Sequence, residues 1–194
     1  MKKLESTLLN MILSLTIIAL VSGASLGFMN ELTKGPKEES RKQKQVEAIK
    51  SVLPEITNNP FAEKIPVAVE GQKDSLFFFP GKKGDGLSGM AVSCFTYSGY
   101  NGLIKLMVGF NMNGEIFNIS VLDQKETPGL GTKMTTEPFV KQFIGKNPGQ
   151  FKLKPTKDGG DVDALTGATI TTRAYCEAVQ QAYDGFMTEK EQIK

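Results

Sequence analysis

The hydrophobic residues of this chain form one long uninterrupted run, followed by shorter periodic segments. No charged residue lies between Ser6 and Asn30, and Leu, Ile, Val and Ala dominate the run. As a helix rising about 1.5 Å per residue, the run is longer than the roughly 30 Å hydrocarbon core of a bilayer. We therefore expect one retained transmembrane helix. A cleaved signal peptide is the alternative, because Lys2 and Lys3 precede the run and residues 22–25 are small enough for a peptidase.

The charges on the two sides of this run leave its orientation open. The lysines at the start of the chain favour an N-terminus in the cytoplasm, whereas basic residues beyond the run favour the opposite arrangement. The basic residues beyond the run are Lys34, Lys37, Arg41, Lys42, Lys44 and Lys50. Acidic residues among them count little toward orientation, and a long domain can cross the membrane whatever its charge.

A polar helix is predicted next, from Pro36 to Leu53. Proline is favoured in the first turn of a helix, and Pro54 stops the pattern at its other end. Its apolar stripe is narrow and consists of Val46, Ile49 and Leu53. Such a helix is typical of a stalk or of a surface element, and its mixed charges give no indication of a binding role.

Short strands are predicted on both sides of a glycine-rich segment. β-Branched and aromatic residues favour strands at 65–69 and 75–79, and strand signals resume at 90–97. Residues 80–89 between them are too dense in glycine for a regular element, so we predict a loop. The glycine spacing matches neither the phosphate-binding loop nor the dinucleotide fingerprint, so we interpret this loop as a connection.

A β-hairpin has the strongest local pattern in the chain. Segments 103–112 and 115–123 flank Asn113-Gly114, the dipeptide most typical of a two-residue hairpin turn. In the second segment apolar and polar residues alternate: Phe117, Ile119 and Val121 against Asn118 and Ser120. This alternation predicts an antiparallel sheet with one face in the core and one toward water.

The last helix carries an apolar stripe at helical spacing, made of Tyr175, Ala178, Val179, Ala182, Tyr183 and Phe186. Just before it, residues 163–172 combine small hydroxyl side chains with Gly167. A helix start offers unpaired backbone N–H groups and the positive end of the helix dipole, which together favour an anion such as a phosphate. A threonine-capped helix without any ligand is the alternative.

The hairpin leads directly into the segment Glu126-Thr127-Pro128-Gly129-Leu130-Gly131. One proline and two glycines predict a tight, exposed loop that offers backbone N–H groups and a hydroxyl. Such groups suit a planar ring rich in hydrogen-bonding atoms. An ordinary turn with nothing bound is the alternative.

Two of these motifs carry a resemblance to a known family. Asp163-x-x-Thr166-Gly167-Ala168-Thr169 resembles the signature at which a flavin transferase esterifies FMN phosphate onto the last threonine. The order of hairpin, Glu-Thr-Pro-Gly-Leu-Gly loop, short helix and threonine motif is similar to the FMN-binding domain of the RnfG/NqrC family of membrane electron-transport subunits. The stretch from Gly99 to Ile104 is similar as well. The resemblance spans about 99–186, and the short chain favours the RnfG branch.

The resemblance implies a membrane-anchored flavoprotein subunit that relays electrons within an ion-translocating oxidoreductase. It implies an FMN phosphoester on Thr169, transferase recognition through Asp163, and cofactor contacts from Thr166, Gly167, Ala168, Glu126, Thr127, Gly129 and Leu130. The implied partners are the other complex subunits, the transferase and membrane lipid. The implied location is the bacterial inner membrane, with the flavin domain on its periplasmic side.

One departure from the family concerns histidine. The family often has a histidine just before the Glu-Thr-Pro loop, where this chain has Gln124 and no histidine anywhere. This absence excludes proton relay by imidazole and a histidine-dependent hydrolase triad. An attached flavin that accepts single electrons needs neither.

Three smaller features carry weaker predictions. Residues 138–144 predict a short helix with Phe139, Val140, Phe143 and Ile144 inward and Gly145 at its end. The acidic loop with Asp158, Asp161 and Asp163 lacks the EF-hand spacing, which favours solvated turn residues over calcium. Cys94 and Cys176 are predicted to be buried apolar residues, and a disulfide between them stays open.

Taken together, the patterns predict an α+β fold with helices packed on an antiparallel sheet. The predicted organisation is an anchor at 1–30, a polar stalk at 31–60 and an FMN-binding domain at 61–194. A net charge of only +2 without a basic stripe argues against nucleic-acid binding. Three alternatives remain open: a subunit of the NqrC type, a flavin-free interaction module, and a stand-alone flavin reductase.

Overall fold

The computed structural model describes residues 7–68, 75–84 and 86–192. The predictions made for Lys2, Lys3, Ser6 and Val69 lie outside the described residues. The chain divides into two compact units, residues 1–43 and 44–194. The first helix, α1, runs from Leu8 to Val52 and contributes residues to both units.

In the first unit, α1 is long and apolar enough to cross a membrane. No part of its most apolar window is buried, and its large side chains, such as Leu9 at 76% and Leu15 at 68%, are exposed. The predicted start of a separate helix at Pro36 is wrong, because Pro36 lies inside α1. An internal proline costs about 3 kcal/mol in a helix, and the sequence pattern alone gives no reason for α1 to continue through Pro36.

The second unit is built on a five-stranded antiparallel sheet in the order β1-β2-β3-β4-β5. Each strand pairs with the next one along the chain, which confirms the predicted antiparallel sheet. The strands are β1 (Ile65–Ala68), β2 (Ser75–Lys83), β3 (Gly86–Gly99), β4 (Gly102–Asn111) and β5 (Ile116–Gln124).

The predicted loop at 80–89 is too long, because β2 extends to Lys83 and β3 already begins at Gly86. Gly81 pairs with Gly89, and a bulge follows Gly81. A Cβ on Gly81 would lie 2.9 Å from the Leu53 side chain, and a Cβ on Gly89 would lie 2.7 Å from the Phe110 carbonyl oxygen. The glycines therefore serve close packing inside a strand pair rather than turn formation. Asp85, within this segment, lies outside the described residues.

The hairpin between β4 and β5 is confirmed, but its turn is not the predicted two-residue type. Asn111 N–H donates to the Glu115 carbonyl oxygen at 3.0 Å, which leaves three residues in the loop. Gly114 has φ of +83°, and every positive φ within the described residues belongs to a glycine. A two-residue turn of the Asn-Gly type needs a positive φ at Asn113 too, so the loop closes through Gly114 alone.

Both faces of the sheet are covered, which corrects the expectation of a face toward water. The end of α1 and the residue after it pack over one face, through Ala48, Ile49, Val52 and Leu53 against Phe79, Ala91 and Met107. A Cβ on Gly109 would lie 1.6 Å from the Val52 carbonyl oxygen, so helix and strand backbones touch there. The predicted alternation in β5 fails at Phe117, which is 43% exposed because a register shift between β4 and β5 displaces it.

The opposite face carries the main core and the last helix, α3 (Thr169–Gln192). The predicted stripe of α3 is confirmed: Tyr175, Ala178, Val179, Ala182 and Phe186 are fully buried, and Tyr183 packs against the same core. The helix α2 (Glu137–Val140) is shorter than predicted, and Ile144 is 41% exposed. Two 3-10 turns, Gly131–Thr135 and Thr156–Asp158, complete the unit.

Cys94 of β3 and Cys176 of α3 are free, buried thiols. Burial raises the pKa of each thiol from 9.0 to about 12. We expect neither to react with iodoacetamide at pH 8 in the folded protein, and both to react in denaturant. Unfolded thiols ionise first, so the unfolding free energy should fall above pH 9 by about 1.4 kcal/mol per pH unit for each thiol. Mass spectrometry after labelling checks this, and modification of either cysteine in folded protein would contradict it.

Candidate functional site

The two sequence motifs meet at one buried carboxylate. Glu126 is 5% exposed, and its Oε2 accepts a hydrogen bond of 2.5 Å from the Thr171 hydroxyl at the start of α3. A Cβ on Gly131 would lie 2.6 Å from the same oxygen, and a Cβ on Gly167 would lie 3.3 Å from the Leu130 side chain. The 126–131 loop and the 163–169 motif therefore form one continuous surface.

The β3–β4 hairpin joins this surface as a third segment. Asn101 N–H donates to Glu126 Oε1 at 3.0 Å, and the Asn101 side chain donates to the Lys125 carbonyl oxygen at 2.9 Å. A Cβ on Gly99 would lie 2.4 Å from the Gly102 carbonyl oxygen and 2.9 Å from Glu126 Oε1. Gly99 must therefore stay without a side chain, because the carboxylate occupies the adjacent space.

The start of α3 supplies backbone donors beside the loop. Gly167 has φ of +74°, a left-handed conformation that turns the chain into the helix. The first bond of the helix runs from Thr172 N–H to the Ala168 carbonyl oxygen at 3.0 Å. The N–H groups of residues 169–171 precede that bond, so they have no acceptor within the helix and lie at the positive end of its dipole.

The four threonines of residues 163–172 differ in solvent exposure. Thr171 and Thr172 are 1% and 0% exposed, and their hydroxyls donate to Glu126 and to the Ala168 carbonyl oxygen. The Thr172 hydroxyl also accepts the Leu165 N–H at 3.1 Å. Thr166 is exposed and Thr169 is partly exposed. Solvent therefore reaches the side chains of Thr166 and Thr169 but not the other two.

The 126–131 loop is held by local hydrogen bonds, and its residues differ in solvent exposure. Gly129, at φ +78°, donates its N–H to the Thr132 hydroxyl at 2.9 Å, and Leu130 N–H donates to the Thr127 carbonyl oxygen at 3.2 Å. Gly129 and Leu130 are exposed as predicted, whereas the expectation of an exposed loop is wrong for Glu126, which three segments enclose. The Gln124 side chain, where the family often has histidine, accepts the Glu126 N–H at 2.6 Å.

The three aspartates before the helix have different environments. Asp158 forms a two-bond ion pair with Arg173 at 2.7 and 2.9 Å, and this guanidinium lowers the pKa of the Asp158 carboxyl. Asp161 accepts the Lys152 N–H at 2.8 Å. Asp163 is exposed while the Gln142 side chain brackets its backbone, accepting its N–H at 2.7 Å and donating to its carbonyl oxygen at 3.3 Å.

A concavity of about 1550 Å³ lies along another part of α3. Residues of the 148–159 segment and α3 residues from Arg173 to Thr188 line it, and the two motifs do not. Sequence reasoning missed Asn101, Gln142 and Thr171 as contributors to the site. Thr171 lies just after the 163–169 motif and Asn101 lies within the similar stretch 99–104, but neither pattern indicates a contact with Glu126.

Comparisons with known proteins agree on the family. Residues 99–184 match the FMN-binding domain family. The G subunit of an ion-translocating oxidoreductase complex from Vibrio atlanticus is 33% identical over 179 residues, covering 88% of this chain and 86% of that protein. The corresponding protein from Shewanella baltica is 44% identical over 109 residues, covering 54% of this chain. These 109 residues cover 51% of that protein, so here the match spans about half the relative's length.

A solved structure shares the fold. The C subunit of a Na⁺-translocating NADH-quinone reductase from Parabacteroides distasonis superposes with a TM-score of 0.56 at 21% identity, covering 80% of this chain and 94% of that one. The chain thus contains an FMN-binding domain of this architecture, preceded by an apolar helix. Within that class it belongs to the RnfG family, the G subunits of ion-translocating oxidoreductase complexes.

Proposed function

We propose that this chain carries FMN as a phosphoester on Thr169 and relays electrons within an Rnf-type membrane complex. The observation that carries the proposal is the convergence of the 126–131 loop and the start of α3 through the Glu126–Thr171 hydrogen bond. That contact brings together a partly exposed threonine, a helix start and a loop with exposed Gly129 and Leu130.

The residues present fit a flavin mononucleotide. The N–H groups at the start of α3 suit the phosphate, since an anion there is stabilised without a charged side chain. Gly167 is exposed and leaves the backbone open to close approach, and Thr166 stands exposed beside it. The predicted contact of Ala168 with the cofactor would be limited to its backbone, because Ala168 is buried. Thr127, Gly129 and Leu130 would contact the ring from the loop. When bound, FMN supplies one-electron chemistry, and the protein fixes its position and tunes its potential through nearby groups.

Attachment requires an activated flavin phosphate. The Thr169 hydroxyl would attack the flavin-side phosphorus of a pyrophosphate donor such as FAD. One Thr–O–P bond forms, the bond between the two phosphates breaks, AMP leaves, and the hydroxyl proton passes to a base of the transferase. This chain has no histidine, and we assign the base to the transferase. Asp163, exposed at the start of the motif, would be a recognition contact for that enzyme.

The apolar part of α1 would anchor the flavin domain in the bacterial inner membrane, with that domain on the periplasmic side. The exposure of this segment's side chains supports contact with lipid. The anchor confines the domain near the other subunits of the complex, and the covalent link prevents loss of the flavin at an exposed site. The proposed organisation is an anchor at 1–30, a stalk at 31–60 and the flavin domain from 61 onward.

One experiment tests attachment and orientation together. The full chain is produced with a flavin transferase that is either exported or retained in the cytoplasm, and its intact mass is measured. We expect one FMN ester only with the exported enzyme. An adduct formed only with the cytoplasmic enzyme would reverse the orientation, and no adduct with either enzyme would contradict attachment. Protein made without a transferase is the blank and is expected to carry no flavin.

Two rival functions predict other outcomes. A flavin-free interaction module would stay unmodified with both forms of the transferase. A stand-alone flavin reductase would show sustained turnover of a small electron donor and acceptor by the matured chain alone. We expect the matured flavin to be reduced by a small donor without such turnover, because the concavity along α3 and the smaller one between α1 and β5 are both lined by residues outside the two motifs.

A further inference from the structure

Glu126 and Thr171 are buried side chains joined by a hydrogen bond, and both carboxylate oxygens of Glu126 already have partners. Oε2 accepts the Thr171 hydroxyl at 2.5 Å, and Oε1 accepts the Asn101 N–H at 3.0 Å. Glu126 is 5% exposed and Thr171 is 1% exposed. The carboxylate therefore faces three protein segments rather than the open surface where a flavin would lie.

The atoms around the Glu126–Thr171 hydrogen bond are closely packed. A Cβ on Gly131 would lie 2.6 Å from Oε2 and 2.9 Å from the Thr171 hydroxyl oxygen. A Cβ on Gly99 would lie 2.9 Å from Oε1. Gly99 and Gly131, on different segments, thus leave the space that the Glu126 carboxylate occupies. Any movement of the 126–131 loop relative to α3 must stretch or break the hydrogen bond to Thr171.

From this geometry we infer that Thr171 is a positioning residue: its hydroxyl, through Glu126, fixes the flavin-contacting loop at the distance from Thr169 that one FMN can span. The inference rests on the proposed function. Thr171 lies two residues after Thr169 on the same first helical turn. Glu126 begins the loop that continues to Leu130, beside Gly167. The hydrogen bond therefore connects the start of α3, which would bind the phosphate, to the 126–131 loop, which would contact the ring. Neither bonded group would touch the cofactor.

Two substitutions separate this role from simple stabilisation. Thr171→Val keeps the branched shape and removes the hydroxyl, whereas Thr171→Ser keeps the hydroxyl. Thr96→Val is the control, because Thr96 is 4% exposed and its hydroxyl donates at 3.2 Å to the carboxylate of Glu177 on α3. The control thus also loses a threonine–carboxylate hydrogen bond to α3, and neither partner belongs to the 126–131 loop or to the 163–169 motif.

The test measures the initial rate at which purified transferase modifies each full-length variant, and then the reduction potential of the attached flavin. Loss of a buried hydrogen bond to a carboxylate should slow modification of T171V about tenfold. We also expect its flavin potential to differ from that of the wild type. T171S should restore both values, and T96V should change neither. A wild-type rate and potential for T171V, or a T171S variant as slow as T171V, would overturn the inference.

Folding and the proposed function are monitored separately. If T171V exposes its buried cysteines, Glu126→Asp tests the same contact, because a carboxylate one methylene shorter cannot reach both Thr171 and Asn101. It should show the same slowing, and unchanged kinetics would count against the inference. If the wild-type chain itself takes up no flavin, the proposed function fails. If the wild type is modified and T171V and Glu126→Asp are modified at the wild-type rate, the proposed function stands and only the role of Thr171 fails.

Discussion

Replacing Thr169 by alanine should abolish covalent flavin incorporation. The phosphoester needs a hydroxyl, and the other motif threonines cannot substitute for it: Thr171 and Thr172 are buried with their hydroxyls engaged. The loss should be complete, because one methyl in place of a secondary alcohol removes the attacking oxygen. In-gel flavin fluorescence and intact mass of the chain produced with an exported transferase measure the effect.

The matched control is Thr166→Ala in the same motif. Thr166 is the other threonine there with an exposed side chain, so it is the only competing attachment point that accessibility allows. We expect T166A to retain its covalent flavin. A T169A variant that keeps covalent flavin, or a T166A variant that loses it while T169A does not, would refute the assignment of Thr169.

Replacing Gly109 by alanine should give the largest loss of stability. The new Cβ would lie 1.6 Å from the Val52 carbonyl oxygen and 3.0 Å from the Val52 side chain, so the end of α1 would have to leave the sheet. Forcing atoms into a packed core costs about 1–3 kcal/mol, and a backbone clash lies at the upper end. For a chain of this size that corresponds to a Tm lower by about 6–12 °C.

Thermal exposure of Cys94 and Cys176 to a thiol-reactive dye measures this effect in detergent, because both thiols are buried in the folded protein. Gly86→Ala is the control, since the nearest atom to its new Cβ is the Lys83 carbonyl oxygen at 3.9 Å. Its Tm should stay within about 2 °C of the wild type. Equal Tm values for the two variants would show that α1 does not pack on β4 as described.

The periodic elements could be predicted because their patterns arise from local geometry. The stripe of α3 repeats at helical spacing, and the hairpin is bounded by turn residues, so both are visible without tertiary contacts. The second core was not predictable in this way. Val46, Ile49 and Leu53 form a stripe narrow enough to be interpreted as a surface helix, and only the arrangement in space shows that residues 48–53 cover the sheet.

The structural role of Gly81 and Gly89 could not be predicted from the sequence either. Glycine in sequence indicates either a turn or a close approach, and the two meanings are distinguished only by what lies opposite. Here Leu53 and the Phe110 carbonyl oxygen lie opposite, so the segment is strand. At the site, the motif identified residues 163–169, but the enclosure of Glu126 depends on Asn101 and Thr171, which are distant from it in sequence.

Attachment of FMN at Thr169 is tested most directly by locating the flavin on the native chain. Trypsin releases residues 158–173 as one peptide, which contains Thr166, Thr169, Thr171 and Thr172. Fragmentation of this peptide from protein purified out of its own membrane assigns the phosphoester to a single residue. We predict FMN on Thr169 and unmodified hydroxyls at the other three. An unmodified peptide, or an ester on any other threonine, would contradict the central claim.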